Sequence, residues 1–301
     1  MEVIPYEQKF GAPSKQQIIM PQQNIIPPEK ATGIAGQQPF GGLQFIYVQD
    51  PMLELASCSG VLVRQEPEFF EQITGCETPN RYHVFGSSPQ GFKYLFKCKE
   101  NSNCCMRNCF PSTQRQLDIE ITHCASADPM DPITTKFANA YKPFKCAICC
   151  CCRPELILTL TEGKVQLGRI RHICTACDPE FEIFDKNDEL KYIANAYCCQ
   201  CGLLCANNFL GKMHEAVFKI YIPGNKDEVG SITKGMATYS EMVTDADTYQ
   251  INFPSGANAH DKLLLLSLGL MIDYQYFETD SSDEKKKKEK KEKEAKKAMQ
   301  L

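Results

Sequence analysis

The sequence predicts a mainly β protein: a closed antiparallel barrel enclosing a hydrophobic helix near the C-terminus. Three observations predict it. Short segments alternate apolar and polar residues, as in "LDIEIT", where Leu117, Ile119 and Ile121 oppose Asp118, Glu120 and Thr122. Successive side chains of a strand point to opposite faces, so this pattern buries one face and solvates the other. Turn residues punctuate these segments and helical periodicity is almost absent. The exception is the run Leu263 to Ile272 in "DKLLLLSLGLMIDYQYF", which carries no charge at all.

Taken in order, residues 1–45 are rich in Gln, Pro and Gly, with "PPEK" and "GQQPFGG". They show no hydrophobic period and read as a disordered, partly polyproline-like arm able to meet protein partners. Residues 46–278 form the β domain, strand after strand from about Leu53 to Phe277. "FKYLFK" alternates. "LILTLTEGKVQLGRI" is a hairpin turning near Glu162-Gly163, "FEIFDKNDELKYIA" a second turning at Asp185 to Asp188, and "AVFKIYIPGNKDEVGSITK" a third around Pro223-Gly224-Asn225. Residues 279–301 are a charged tail, with nine lysines against four glutamates between Glu284 and Lys297.

That stretch hides an asymmetry in the net charge of −4: residues 284–297 carry +5, so the rest of the chain sums to −9. An acidic body lacks the extended basic face that phosphate backbones require, which argues against general nucleic-acid binding. The lysines suit an anionic lipid surface. A nuclear import signal is the alternative, weakened by the interrupting glutamates.

The segment Leu263 to Ile272 is apolar on every side, so as a helix it must be enclosed. Ten residues rise about 15 Å against a hydrocarbon core near 30 Å. Asp261 and Lys262 bound one end and Asp273 the other. The length fits a core helix inside a sheet that closes around it, and closure removes exposed strand edges.

Eighteen cysteines far exceed ordinary usage. The start, "MEVIPYEQKF", has no apolar run and is not a secretory signal, so a reducing compartment and few disulfides are expected. The densest group is "CAICCCC", Cys146 to Cys152. Neighbouring positions of an extended chain point apart, which disfavours one shared metal ion there. Elsewhere "HICTAC" offers His172, Cys174 and Cys177, and "CCQCGLLC" offers Cys198, Cys199, Cys201 and Cys205. These two knots are compatible with a tetrahedral zinc site. Buried thiols packing as small hydrophobes are the plainer alternative.

Covalent catalysis finds no support. The chain has no P-loop, no Gly-x-Ser-x-Gly and no His-Glu-x-x-His. The histidines are scattered, and His172 near Cys174 is most simply structural.

Several segments, in order, resemble the phospholipid scramblase family: "TGCETPNRYHVF", "CCMRNCF", "CAICCCC", "RIRHICTACDPEFEIFD" and, most specifically, "TDADTYQINFP" followed by "KLLLLSLGLMIDYQYFE". The resemblance covers about Gly60 to Glu278. It implies a tubby-like barrel around the C-terminal helix, which family descriptions often treat as a membrane span. It also implies calcium-activated, ATP-independent, bidirectional movement of phospholipids between leaflets at the cytoplasmic face of the plasma membrane. The resemblance makes Cys146, Cys149, Cys150, Cys151 and Cys152 palmitoylation sites, beside the basic Lys142, Lys145 and Arg153. Here no proline divides the cysteines, unlike in the family. Calcium is implied at Asp245 and Asp247, and Glu241 or Asp261 can help only if the fold brings them near. Tyr249, Gln250 and Gly256 occupy the fifth, sixth and twelfth positions counted from Asp245, so the segment is not an EF-hand and the affinity is weak. Tubby-like barrels also bind phosphoinositides, which keeps open a lipid-anchored adaptor that does not scramble.

Overall fold

The computed structural model describes residues 50–66, 79–89, 91–102, 107, 110, 114–124, 134–145, 153–175, 177–204, 214–235 and 248–277. It opens with helix α1 (Pro51–Ser57), followed by strands β1 (Gly60–Gln65), β2 (Arg81–Ser88), β3 (Gly91–Glu100), β4 (Leu117–Cys124), β5 (Thr134–Lys142) and β6 (Glu155–Leu160). Next come β7 (Gln166–Ile173), β8 (Glu180–Asp185), β9 (Leu190–Asn195), the one-turn helix α2 (Cys201–Leu204), β10 (Ala216–Tyr221), β11 (Glu228–Lys234) and β12 (Thr248–Asn252). Helix α3 (Ala259–Ile272) follows and runs into a π-helical turn over Asp273–Phe277.

The strands pair antiparallel in chain order, and β1 closes the barrel on β12. The seam runs from Gly60 opposite Asn252 to Arg64 opposite Thr248. Gly60 is required there, because a Cβ would stand 2.5 Å from the Ile251 carbonyl oxygen. The three hairpins fall where the sequence places them. Gly163, Asp188 and Gly224 adopt positive φ at the β6–β7, β8–β9 and β10–β11 turns, as tight connections of twisted strands require.

Alternation fixes which side chains enter the barrel. Along β4, Leu117, Ile119 and Ile121 are fully buried, while Asp118, Glu120 and Thr122 are half-buried on the outer face. The interior is filled by α3, whose residues Leu263 to Ile272 are all buried. The helix seats closely: a Cβ on Gly269 would lie 2.8 Å from Ile251 Cδ1. An Asn258–Asp261 capping box closes its first turn, with Asp261 N donating to Asn258 Oδ1 at 3.0 Å and Asn258 N to Asp261 Oδ2 at 3.2 Å.

Two boundaries differ from the sequence reading. Asp261 and Lys262 do not flank the helix but lie inside its first turn and are buried. Lys262 stays there by reaching out of the barrel, donating to the carbonyls of Ala56 at 2.6 Å and Cys58 at 2.8 Å. Those carbonyls close α1, where a cation is favoured. Strands also do not begin at Leu53. Asp50 caps Met52 N at 2.9 Å, Pro51 takes the first helical position, and Leu55 is fully buried.

The outer surface is charged. Lys136 pairs with Glu120 at 2.6 Å, Arg171 with Glu182 at 2.5 Å, and Arg169 with both Glu155 at 2.9 Å and Asp188 at 2.6 Å. A membrane-spanning barrel presents an apolar band outward, so this barrel has the opposite polarity. Among the described residues no helix is long and apolar enough to cross a membrane. At 14 residues, α3 would span only about 21 Å.

Candidate functional site

Antiparallel order sends alternate connections to opposite ends of the barrel. The links β1–β2, β3–β4, β5–β6, β7–β8, β9–β10 and β11–β12 all leave from one end. By sequence they carry Cys76, then Cys104, Cys105 and Cys109, then Cys146 and Cys149 to Cys152, then Cys174 and Cys177, then Cys198, Cys199, Cys201 and Cys205. Only Cys58, Cys98 and Cys124 lie elsewhere, and all three are buried. The β11–β12 link carries Glu241, Asp245 and Asp247. Cys76, Cys104, Cys105, Cys109, Cys146, Cys149 to Cys152, Cys205, Glu241, Asp245 and Asp247 lie outside the described residues. Lys142 and Glu155 bracket Cys146 to Cys152, and Lys234 and Thr248 bracket the acidic residues.

Helix α3 delivers its C-terminal end to this same cysteine-rich end, where a buried polar plug meets it. Asp273, 3% exposed, accepts from Tyr82 Oη at 2.5 Å and from Tyr249 Oη. Tyr274 Oη donates to Glu100 Oε2 at 2.8 Å, and Asn80 N donates to the same oxygen at 3.0 Å. Arg115 Nη2 stands 3.7 Å from Glu100 Oε1, both side chains fully enclosed. Lys142 Nζ donates to the Arg115 carbonyl at 2.6 Å. Lys234 Nζ lies 4.0 Å from the centre of the Phe277 ring, a cation over an aromatic face. Such charges are tolerated in a core only when paired and hydrogen-bonded. Sequence reasoning missed this plug, because its members are scattered through the chain.

The two predicted zinc knots are only partly brought together. Cys177 and Cys198 are joined by a disulfide, the one such bond among the described residues and a departure from the expectation of reduced thiols. Asp178, which the sequence reading passed over, completes a group with them whose ligand atoms lie within 4.8 Å of one another. Cys199 Sγ stands 3.7 Å from Cys198 Sγ. Cys174 Sγ accepts from Arg153 Nη2 at 3.1 Å. His172 is turned away from the thiols: it stacks on Phe181 with ring centres 4.8 Å apart, and its Nε2 is 3.2 Å from Tyr276 Oη. Burial, helped by the nearby Arg153 charge, pulls its pKa down to about 4. His172 is therefore a neutral core histidine.

The fold does not bring Asp261 to the start of β12. Asp261 sits in the N-terminal turn of α3 and lies 3.4 Å from Tyr192 Oη at the start of β9. Thr248, which follows Asp247, starts β12 at the other end of the barrel. An intervening barrel height separates the two.

One surface feature marks the cysteine-rich end. Phe110 and Phe144 pack edge to face with centres 5.2 Å apart, yet are 38% and 43% exposed. Lys145 and Arg153 flank the same β5–β6 link, with Lys145 Nζ donating to the Arg153 carbonyl at 3.1 Å. Exposed aromatics beside basic side chains suit an interface between water and lipid headgroups.

Comparison with known proteins matches residues 43–279 to the Scramblase family. Phospholipid scramblase 1 of Mus musculus is 28% identical over 240 residues, covering 78% of this chain and 66% of that protein. Phospholipid scramblase 1 of Homo sapiens is 28% identical over 241 residues, with 78% and 68% covered. Phospholipid scramblase family member 5 of Homo sapiens is 23% identical over 273 residues, with 89% and 91% covered. The chain thus spans about two thirds of the length of the scramblase 1 relatives. With the family match extending from before α1 to the end of the π-helical turn, the chain belongs to the Scramblase family.

Proposed function

We propose that this protein moves phospholipids between the two leaflets of a membrane, in both directions, without ATP and in response to calcium. Family membership and the names of its relatives support phospholipid as the substrate. The observation that carries the reading is topological. The β5–β6 and β11–β12 links, which by sequence hold the cysteine run and the acidic residues, leave from the same end of the barrel as the exposed Phe110–Phe144 pair and the C-terminus of α3.

In this reading Cys146, Cys149, Cys150, Cys151 and Cys152 carry palmitoyl chains and set that end against the cytoplasmic face of the plasma membrane. Each buried methylene contributes about 0.8 kcal/mol, and two chains anchor where one is marginal. Asp245 and Asp247 supply carboxylate oxygens to calcium, completed by backbone carbonyls, with low affinity. The Lys-rich tail adds attraction to anionic lipid, and the Pro/Gln-rich arm takes protein partners.

The test is the purified, acylated protein in liposomes containing a fluorescent lipid, bleached from outside by a membrane-impermeant reductant. Calcium should extend bleaching beyond the outer leaflet, and Asp245→Ala/Asp247→Ala should abolish that calcium response. Bleaching confined to the outer leaflet at saturating calcium would overturn scrambling.

One observation favours a second reading. Among the described residues the barrel interior is filled by α3 and the exterior is charged, so they leave no lumen for a headgroup. A lipid-anchored adaptor that binds anionic phospholipid without moving it fits that packing. Vesicle binding intact with no lipid movement would select it.

A further inference from the structure

Two links at the cysteine-rich end meet at a point the lipid reading does not use. The β7–β8 link holds Cys174-Thr175-Ala176-Cys177 and the β9–β10 link holds Cys198-Cys199-Gln200-Cys201. Each is a Cys-x-x-Cys turn, and the disulfide joins the inner cysteine of one to the inner cysteine of the other across 21 positions. Paired Cys-x-x-Cys turns at this spacing are a zinc-ligand pattern.

The contact is held by more than the sulfurs. Cys198 N donates to Asp178 Oδ1 at 2.9 Å, and Ala196 N donates to the Pro179 carbonyl at 3.0 Å. The Thr175 hydroxyl donates to the Asp178 carbonyl and closes the first turn. Gln200 Nε2 and Oε1 bind the Val217 main chain at 2.9 and 2.8 Å, fixing the second turn on β10. The two turns therefore stay apposed when the S–S bond is absent. Cys174, Cys177, Cys199 and Cys201 are exposed and Cys198 is half-buried, so an ion can enter. Thiolates are soft donors that select zinc over calcium or magnesium.

We propose that Cys174 and Cys201, which stand outside the 4.8 Å group of Cys177, Asp178 and Cys198, close on the two inner sulfurs to form a redox-gated four-cysteine zinc site, and that the Cys177–Cys198 disulfide is its oxidised, metal-free form. A dithiol reductant exchanges with the disulfide: its own two sulfurs become bonded, and Cys177 and Cys198 each gain one electron and one proton. Zinc then replaces the protons of the four thiols, which leave to solvent. In reverse, hydrogen peroxide takes one electron from each inner thiolate and, with two protons, becomes two waters. The S–S bond re-forms and the ion departs. Asp178 orients the inner pair through the Cys198 amide, as groups beyond the ligands commonly do. The site is independent of lipid movement and ties two of the links on the membrane-facing end.

The experiment uses the full chain purified under a phosphine reductant, with zinc counted by elemental mass spectrometry and cobalt added as a thiolate-sensitive optical probe. We expect one zinc per chain. One equivalent of peroxide should lower it below a tenth, and a dithiol with added zinc should restore it. Cys177→Ser and Cys198→Ser, with melting curves close to the parent, should abolish both zinc and the cobalt band. Cys174→Ser and Cys201→Ser should each weaken zinc at least tenfold. No zinc in the reduced parent overturns the proposal. Zinc that survives Cys174→Ser and Cys201→Ser but is lost in Cys199→Ser or Asp178→Asn overturns the four-cysteine assignment.

Discussion

The Tyr249 hydroxyl donates to the carboxylate of Asp273, tying the second residue of β12 to the first residue after α3. The acidic link ends at Asp247, two positions before Tyr249, so this hydrogen bond fastens the chain just after that link to the core. Tyr82 Oη donates to the same carboxylate at 2.5 Å. A hydrogen bond to a charged group contributes about 1.5–3 kcal/mol. Tyr249→Phe should lower unfolding free energy by about that amount, and Asp273→Asn by at least as much. In a double-mutant cycle Tyr82→Phe and Tyr249→Phe should be non-additive, since they share one acceptor. Urea melts check all three.

Packing around α3 predicts which core changes matter most. A Cβ on Gly168 would stand 2.2 Å from the Phe184 carbonyl oxygen and 2.9 Å from Leu264 Cδ1. Backbone cannot yield as a side chain does, so Gly168→Ala should destabilise by about 3 kcal/mol, at the upper end of overpacking costs. Leu266→Ala, at a fully buried position, should cost about 2–5 kcal/mol through the cavity it leaves. Thermal melts of detergent-free protein measure both.

His172 predicts an acid-sensitive fold. Its folded pKa of about 4 lies below its ordinary value of 6.5 because burial and then Arg153 oppose the charged ring. The unfolded chain therefore binds the extra proton between those values. Stability from this group is complete above pH 6.5 and falls as pH drops toward 4, by at most about 3 kcal/mol. His172→Gln should flatten that part of the pH–stability curve, while leaving the curve above pH 7 parallel to the parent.

Lys262 should act as the latch of α1. Burial lowers its pKa, while two carbonyls hold its ammonium. Lys262→Met keeps the apolar stem but removes the donors to Ala56 and Cys58. Limited proteolysis within Pro51–Ser57 should accelerate about tenfold, whereas the barrel strands keep their protection.

Much of the fold is legible because it is local. The alternation of Leu117 to Thr122 needs only the strand period, and the turns at Gly163, Asp188 and Gly224 need only residues that accept positive φ. The uniform apolarity of Leu263 to Ile272 demands enclosure, and its shortness argues for protein rather than lipid as the enclosure. What is illegible depends on distant pairs. Glu100 reads as the polar end of an alternating strand until Arg115, Asn80 and Tyr274 surround it. Lys262 reads as the end of a helix until the α1 carbonyls receive it. Asp178 gains meaning only when β8 and β9 bring it beside Cys198. His172 sits next to Cys174 in sequence, yet strand alternation turns it toward Phe181.

The barrel, not the bilayer, encloses α3. Hydrogen exchange on the chain with Cys146 and Cys149 to Cys152 replaced by serine, in buffer without detergent or vesicles, tests it most directly. The Leu263 to Ile272 amides should exchange only through global unfolding, as slowly as those of β4. Rapid exchange of those amides in buffer, with protection appearing only when vesicles are added, would contradict it.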